Sequence, residues 1–170
     1  MRLAPVAIFH CYDAEAAIRD AVAQSRTTHG AAECLDACAL LARIRVCAIA
    51  GAPRSDLIKA GSGVVVESPR IKAVADGTWR SKTREQIRSS GYVVHTLEAA
   101  LWCVDRTENF ADAVLLAVNL ADDADTVGAV TGQVAGALYG ESGIPNAWRE
   151  KLAQGDRLRK LADDLYAHGG

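Results

Sequence analysis

The feature that most constrains the fold is the run from Ala31 to Ala50, AAECLDACALLARIRVCAIA. Its apolar side chains occupy nearly every face of a helix, and Gly51 and Pro53 follow it as stop signals. Because a helix that is apolar all round needs neighbours on every side, the run predicts a central, buried helix. Of the 170 residues, 50% are hydrophobic and only 5% are aromatic, which favours packed helices over a β-sandwich. We therefore expect an all-α fold, with residues 1–170 forming a single domain.

Other segments carry their own helix signals. Asp13 and Asn109 are residue types that cap helix N-termini. The run GVVVE at 63–67 has no evident partner strand, and we interpret it as a loop or the edge of a helix. The further predicted helices cover 14–25, 54–60, 91–107, a segment from Asn109 to near Ala121, 122–140, and a final pair of short helices that begins at Pro145 and breaks at Gly155–Asp156. Trp102 and Trp148 are predicted to lie in the core.

A glycine recurs at every fourth position of the 122–140 segment, at Gly128, Gly132 and Gly136. On a helix these glycines form one face without side chains, as in the dimer motif of membrane helices. The acidic and amide side chains of the same segment argue against a membrane span, and no run approaches the roughly 20 apolar residues that a span needs. We expect instead that a neighbouring helix packs closely against this face.

Charge and cysteine usage exclude several function classes. Nineteen Lys and Arg residues against 21 Asp and Glu give a net charge of −2, without the basic excess of proteins that bind nucleic acids or membrane surfaces. Pro5, His10 and Asp13 interrupt the first apolar stretch, which predicts no signal peptide and a cytoplasmic protein. The five cysteines lie in apolar helical patterns and lack the companions of a zinc site, so we expect buried, reduced thiols.

The densest polar cluster is DDADT, from Asp122 to Thr126. Its three carboxylates repel one another unless a cation lies among them, and Mg²⁺ prefers such oxygen ligands. Asp123 and Thr126 are three residues apart, so the first turn of a helix places their oxygens on one side, with Asp125 adjacent. Spacing alone leaves open a solvent-exposed acidic cap. By the same reasoning His29 is a cap or surface histidine and Tyr92 a packing residue.

Several segments together resemble the ADP-ribosylglycohydrolases, including the ADP-ribosyl-dinitrogen-reductase hydrolases. They are MRLAPVAIF at 1–9, SRTTHG at 25–30, GTWRSKTREQIRSSGYVVHTLEAALW at 77–102, NFADAVLLAVNLADDADTVGAVTGQVAGALYG at 109–140 and IPNAWREKL at 144–152. The resemblance implies an all-α bundle and a metal-dependent hydrolase, which cleaves the glycosidic bond joining ADP-ribose to a protein side chain or small acceptor. The implied partner is ADP-ribose or an ADP-ribosylated protein.

The resemblance also implies roles for individual residues. The family's D-x-D-T motif falls on Asp123, Asp125 and Thr126, which implies ligands for Mg²⁺ or Mn²⁺ in a site of two ions. The T-T-H-G histidine falls on His29, near the diphosphate or ribose of ADP-ribose, and the G-Y-V-V tyrosine on Tyr92, in the wall of the ADP-ribose pocket. The resemblance leaves the general base unassigned.

The chain departs from the family pattern in two respects. The pattern includes an N-terminal half with a T-D-D-T metal motif and a G-N-G-S-type loop before Met1-Arg2, so the chain resembles only the C-terminal part and is expected to be N-terminally truncated. Ala121 stands where the family usually has glycine. The expected function is a hydrolase completed by the other half, which a partner chain or an earlier start codon would supply. The alternatives are an inactive remnant and a helical interaction module. Truncation predicts exposed apolar faces on the 31–50 and 126–139 helices.

Overall fold

The computed structural model describes residues 1–61 and 63–169, apart from the side chain of residue 58, and within these ranges it contains helices and no strand. None of the helices described has both the length and the apolar composition of a membrane span. The α-helices are α1 (Ala4–Phe9), α2 (Ala14–Arg26), α3 (Ala32–Ile49), α4 (Leu57–Gly61), α5 (Pro69–Ala75), α6 (Val93–Asp105), α7 (Phe110–Val118), α8 (Ala124–Tyr139), α9 (Asn146–Arg149) and α10 (Gly155–His168). Short 3₁₀ turns cover Arg54–Asp56, Thr78–Ser81, Arg84–Gln86 and Glu141–Gly143.

Both predicted N-caps are confirmed. The Asp13 carboxylate accepts a hydrogen bond from the backbone N–H of Ala16 at 2.9 Å, and the Asn109 side chain accepts one from Asp112 at 2.8 Å. Helix α7 ends at Val118, earlier than the sequence predicts. The reason is a change of backbone conformation, because the chain turns into the left-handed region at residue 121, where φ is +66°.

The core lies around α3, α6 and α8, which pack against one another, while α2 covers α3 and α7 covers α8. Leu40, Ile44, Val104, Val127 and Val134 are among the largest fully buried side chains. The prediction of a central buried helix over 31–50 is therefore confirmed for the C-terminal two thirds of α3. The first turns of α3 are only half-buried, since they border a cavity described below.

The glycine face of α8 packs against α7, as the spacing predicts. A Cβ at Gly128 would lie 2.9 Å from Cγ1 of Val118, which is too close without a shift of that side chain. At Gly132 the distance to Cγ2 of Val114 would be 3.8 Å, an ordinary contact. Of these two positions, Gly128 is the one where the close approach of α7 to α8 requires glycine.

A buried arginine fastens the N-terminal segment to the core. Arg45 on α3 is 3% exposed, and its guanidinium donates to Oε1 of Gln133 on α8 at 3.0 Å and to the carbonyl of Ala4 at 3.3 Å. Gln133 donates in turn to the carbonyl of Met1 at 2.6 Å. Burial lowers the pKa of Arg45 to about 10, so the side chain keeps its charge at neutral pH. These contacts fix residues 1–4 on the surface of α3 and α8.

Predictions about the C-terminal region and the surface differ from the structure in three places. The predicted pair of helices after Pro145 is present, but the break between them lies at 150–154, and α10 begins at Gly155 and is longer than expected, with 14 residues. Trp102 is buried, but Trp148 is 36% exposed because α9 is a single turn on the surface. Within the described ranges no large hydrophobic side chain of α3 or α8 is exposed, so those helices lack the expected bare faces. Among the residues described, the exposed large hydrophobic side chains of helices lie on α1, α7, α9 and α10, and include Phe9, Leu115, Val118, Leu158 and Leu161.

Candidate functional site

A cavity of about 580 Å³ lies where the N-terminal segment, the end of α2 and the first turns of α3, α6 and α8 meet. Leu41, Leu97 and Val130 contribute to its apolar wall. The polar groups on its wall come from residues that are far apart in sequence, and include Arg2, Thr28, His29, Glu33, Tyr92 and Thr126.

Arg2, Thr28 and His29 form a hydrogen-bonded cluster on the cavity wall. The Arg2 guanidinium donates to Oγ1 of Thr28 at 2.8 Å, and Nδ1 of His29 lies 2.9 Å from the same oxygen. Ser25 at the end of α2 donates to the carbonyl of His29 at 2.9 Å, which holds the turn before α3. His29 is exposed at the cavity edge, so its imidazole is accessible to a ligand.

A second part of the wall, which we call the rim, consists of Tyr92 and the side chains that hold it. Tyr92 is the N-cap residue of α6 and is half-buried. Its hydroxyl donates to the carboxylate of Glu33 on α3 and accepts a hydrogen bond from Arg70 on α5 at 2.8 Å. The Tyr92 ring meets the His95 ring edge-on, with centroids 4.9 Å apart. The sequence predicted a pocket or packing role for Tyr92 but gave no sign of Glu33 or Arg70.

Beside the rim lies the segment 121–126, which we call the acidic loop. Ala121 and Asp122 have φ values of +66° and +54°, a conformation that favours glycine. Ser89 is buried and supports the loop, because its hydroxyl lies 3.0 Å from the carbonyl of Ala121 and its own carbonyl accepts the N–H of Asp123 at 3.0 Å. The left-handed backbone explains why glycine suits position 121, and this chain adopts the turn with alanine.

The carboxylate of Asp123 is the centre of the acidic loop. Interactions with the side chains of Thr126 first, and then of Asp125, lower the pKa of the Asp123 carboxyl. The carboxylate also lies directly against Gly91, so that a methyl group at Gly91 would clash with it. Asp125 and Asp122 are exposed.

Asp123, Asp125 and Thr126 lie together at the N-cap and first turn of α8, and the chemistry of their oxygens fits a hard divalent cation. No cluster of three or more His, Cys, Asp or Glu side chains suited to a metal occurs in the described ranges. Two carboxylates and one hydroxyl would supply only part of the ligand set of such an ion.

The structure brings three of the five predicted site residues to one cavity, since His29, Tyr92 and Thr126 line it. Asp123 borders the cavity through its contact with Gly91, and Asp125 is not part of the wall. Sequence reasoning missed Arg2 and Glu33. Glu33 is 59 positions from Tyr92, so no local pattern could have indicated their contact.

The cysteines follow the prediction only in part. All five are free thiols, but Cys34, Cys38 and Cys47 are half-buried, while Cys11 and Cys103 are buried. Burial raises the pKa of Cys103 to about 12. Cys34 and Cys38 line the cavity, and burial raises the pKa of the Cys38 thiol as well.

Comparison with known proteins gives consistent results. The sequence model of the ADP-ribosylglycohydrolase family matches residues 1–170. The chain is 48% identical over 166 residues to the ADP-ribosylarginine hydrolase Tri1 of Pseudomonas putida (strain GB-1), and 46% identical over 167 residues to that of Serratia proteamaculans (strain 568). These alignments cover 98% of the chain and 44% and 45% of the relatives, so the chain spans less than half of their length.

A more distant relative is the ADP-ribosyl-[dinitrogen reductase] glycohydrolase of Rhodospirillum rubrum, 38% identical over 85 residues, which are 49% of this chain and 29% of the relative. Among solved structures, an ADP-ribosylglycohydrolase-related protein complex matches with a TM-score of 0.86 and 37% identity, over 99% of this chain and 59% of the matched chain. The helical fold, the full-length match to the family model and the similarity to these relatives agree: the chain belongs to the ADP-ribosylglycohydrolase family.

Proposed function

We propose that the chain forms part of the active site of a hydrolase that releases ADP-ribose from arginine side chains. The observation that carries the proposal is the cavity, because it joins His29, Tyr92 and Thr126 from distant parts of the sequence and has the acidic loop at its edge. The choice of arginine rests on the relatives, two of which are named ADP-ribosylarginine hydrolases.

The cavity offers groups that suit the parts of ADP-ribose. The Arg2 guanidinium and the donors of Thr28 and His29 suit a diphosphate, which favours charged and hydrogen-bonding partners. The Tyr92 ring gives a planar ligand an aromatic surface.

Asp123, Asp125 and Thr126 would hold Mg²⁺ or Mn²⁺ beside the cavity. A divalent ion there supplies charge stabilisation for the sugar and lowers the pKa of bound water. The chain itself holds the backbone of Asp123 through Ser89, and Gly91 leaves room for the Asp123 carboxylate beside it.

The test is calorimetric titration of the chain with ADP-ribose in Mn²⁺, in Mg²⁺ and in EDTA. We expect binding that requires a divalent ion and that disappears in Asp123→Ala. The matched control is Asp163→Ala on α10, whose carboxylate is exposed and outside the cavity, and which should bind as the unchanged chain does. A folded chain that binds no ADP-ribose under any of these conditions contradicts the proposal.

A second measurement separates binding from turnover. Incubation with an ADP-ribosylated arginine compound and Mn²⁺, followed by chromatography of the products, detects released ADP-ribose. Release supports a hydrolase that works with these residues alone. Metal-dependent binding without release supports the alternative that the chain is a binding half which needs a partner chain, and mixing with the N-terminal half of a relative then tests for restored turnover.

A further inference from the structure

The rim joins three helices at the hydroxyl of Tyr92. This hydroxyl has both of its hydrogen-bonding roles filled, since it donates to Glu33 of α3 and accepts from Arg70 of α5 at 2.8 Å. Glu33 and Arg70 also approach each other, with Nη1 and Oε1 3.5 Å apart. Each member of the trio therefore contacts the other two.

The Tyr92 ring is restrained by further contacts. The Arg70 guanidinium carbon lies 6.0 Å from the ring centroid, and the His95 ring meets the Tyr92 ring at an angle of 89°. His95 is held in turn, because its Nδ1 lies 2.8 Å from the hydroxyl of Ser90. The orientation of an aromatic side chain in the cavity wall thus depends on polar partners that the sequence places far away.

An exposed ion pair usually contributes little to stability, and Arg70 is 68% exposed. Glu15 and Arg43 form a comparable pair at 3.6 Å outside the cavity wall, and neither is hydrogen-bonded to a side chain that lines it. The two pairs differ because Glu33 and Arg70 are both also hydrogen-bonded to the hydroxyl of Tyr92. At the rim the pair is connected to a side chain of the cavity, so its geometry affects the site more than it affects the stability of the fold.

We propose that Glu33 and Arg70 are positioning residues, which fix the Tyr92 ring as a wall of the cavity and thereby set the affinity for ADP-ribose. The inference rests on the proposed function for the identity of the ligand. Glu33 acts through the Tyr92 hydroxyl and not through its own contact with the ligand, although its carboxylate is part of the cavity wall.

A double-mutant cycle separates these two ways of acting. Dissociation constants for ADP-ribose in Mn²⁺ are measured by calorimetry for the unchanged chain, Glu33→Ala, Tyr92→Phe and the double variant. We expect each single change to weaken binding about five- to tenfold, the effect of about one hydrogen bond. The double variant should be no weaker than the weaker single variant, because without the hydroxyl Glu33 has nothing left to position.

Two controls accompany the cycle. Glu33→Gln keeps an acceptor for the Tyr92 hydroxyl and should bind within about threefold of the unchanged chain, since the hydrogen bond survives. Glu15→Ala removes the matched pair away from the cavity and should leave the dissociation constant unchanged. Additive losses in the double variant would mean that Glu33 meets the ligand directly, and would overturn the inference.

A measurement without ligand keeps the inference apart from the proposed function. The ring of Tyr92 is followed by aromatic ¹³C NMR and assigned through Tyr92→Phe. We expect faster ring reorientation in Glu33→Ala and in Arg70→Ala than in the unchanged chain or in Glu15→Ala. Equal ring dynamics in all four proteins would overturn the positioning role. If the unchanged chain binds no ADP-ribose, the proposed function fails while the NMR comparison still decides whether Glu33 and Arg70 fix the ring.

Discussion

The rim and the acidic loop border the same cavity, but they are held in opposite ways. At the rim, the hydroxyl of Tyr92 has partners of both kinds, and the ring is packed against its neighbours. In the acidic loop, two successive residues have left-handed backbones, and Asp122, Asp123 and Asp125 place three carboxylates within four positions. The hydrogen bonds of the Tyr92 hydroxyl at the rim form without a ligand. The acidic loop retains backbone strain and like charges, and a cation would offset the charges.

The rim and the acidic loop meet in the short segment 89–92, where neighbouring residues contact different regions. Ser89 supports the acidic loop through the carbonyl of Ala121, and Ser90 supports the rim through His95. Gly91 lies between them with the Asp123 carboxylate against it. Substitutions in this segment can therefore alter the acidic loop and the rim separately, which tests whether the two regions are held independently.

The largest effect is expected for Gly91→Ala. The new methyl group would clash with the carboxylate of Asp123, which must turn away from Thr126. We expect the affinity for Mn²⁺, measured by calorimetry, to fall 10- to 100-fold, or by about 1.4–2.7 kcal/mol, as when a group that orients a ligand is lost. Gly30→Ala is the control, because nothing lies within 4 Å of a Cβ there. Equal Mn²⁺ affinity in the two variants would mean that the Asp123 carboxylate position is unimportant.

Ser89→Ala should have the next largest effect. The buried hydroxyl of Ser89 lies near the carbonyls of Leu120 and Ala121, at 3.3 and 3.0 Å, and its removal leaves them without this donor. We expect the free energy of unfolding, from urea titration, to fall by about 1–2 kcal/mol, together with weaker Mn²⁺ binding. Ser90→Ala should cost less stability, since Ser90 is half-buried, and should leave Mn²⁺ binding unchanged. Equal loss of Mn²⁺ affinity in both variants would erase the distinction between loop and rim.

The smallest effect, and the only stabilising one, is expected for Ala121→Gly. At a φ of +66° the Cβ of Ala121 costs about 1–2 kcal/mol, part of which glycine returns through its larger entropy in the unfolded chain. The free energy of unfolding should rise by about 0.5–1 kcal/mol. The same substitution at Ala129, exposed within α8, should lower it by about 1 kcal/mol. A destabilised Ala121→Gly would show that the left-handed turn is not strained by alanine.

The sequence predicted helices well where a local signal exists. Asp13 and Asn109 are caps because a side-chain oxygen three residues before a free N–H is a local arrangement, and the glycine face of α8 follows from helical period alone. The length of α10 and the exposure of Trp148 were predicted wrongly, because both depend on what packs against the last helices. Glu98 shows the same dependence on packing, because it is buried and its carboxylate lies 2.5 Å from Nζ of Lys82, a residue 16 positions away.

By itself the sequence determined the all-α class, the buried run of α3 and the family, since apolar periodicity and motif spacing are local properties of the chain. The tertiary structure alone decided that His29, Tyr92 and Thr126 share one cavity, and that Glu33 and Arg70 hold the Tyr92 hydroxyl. It also showed Ala121 in a left-handed turn. Contacts between residues that are tens of positions apart depend on how the helices pack, and helix packing is a property of the whole chain that no segment carries.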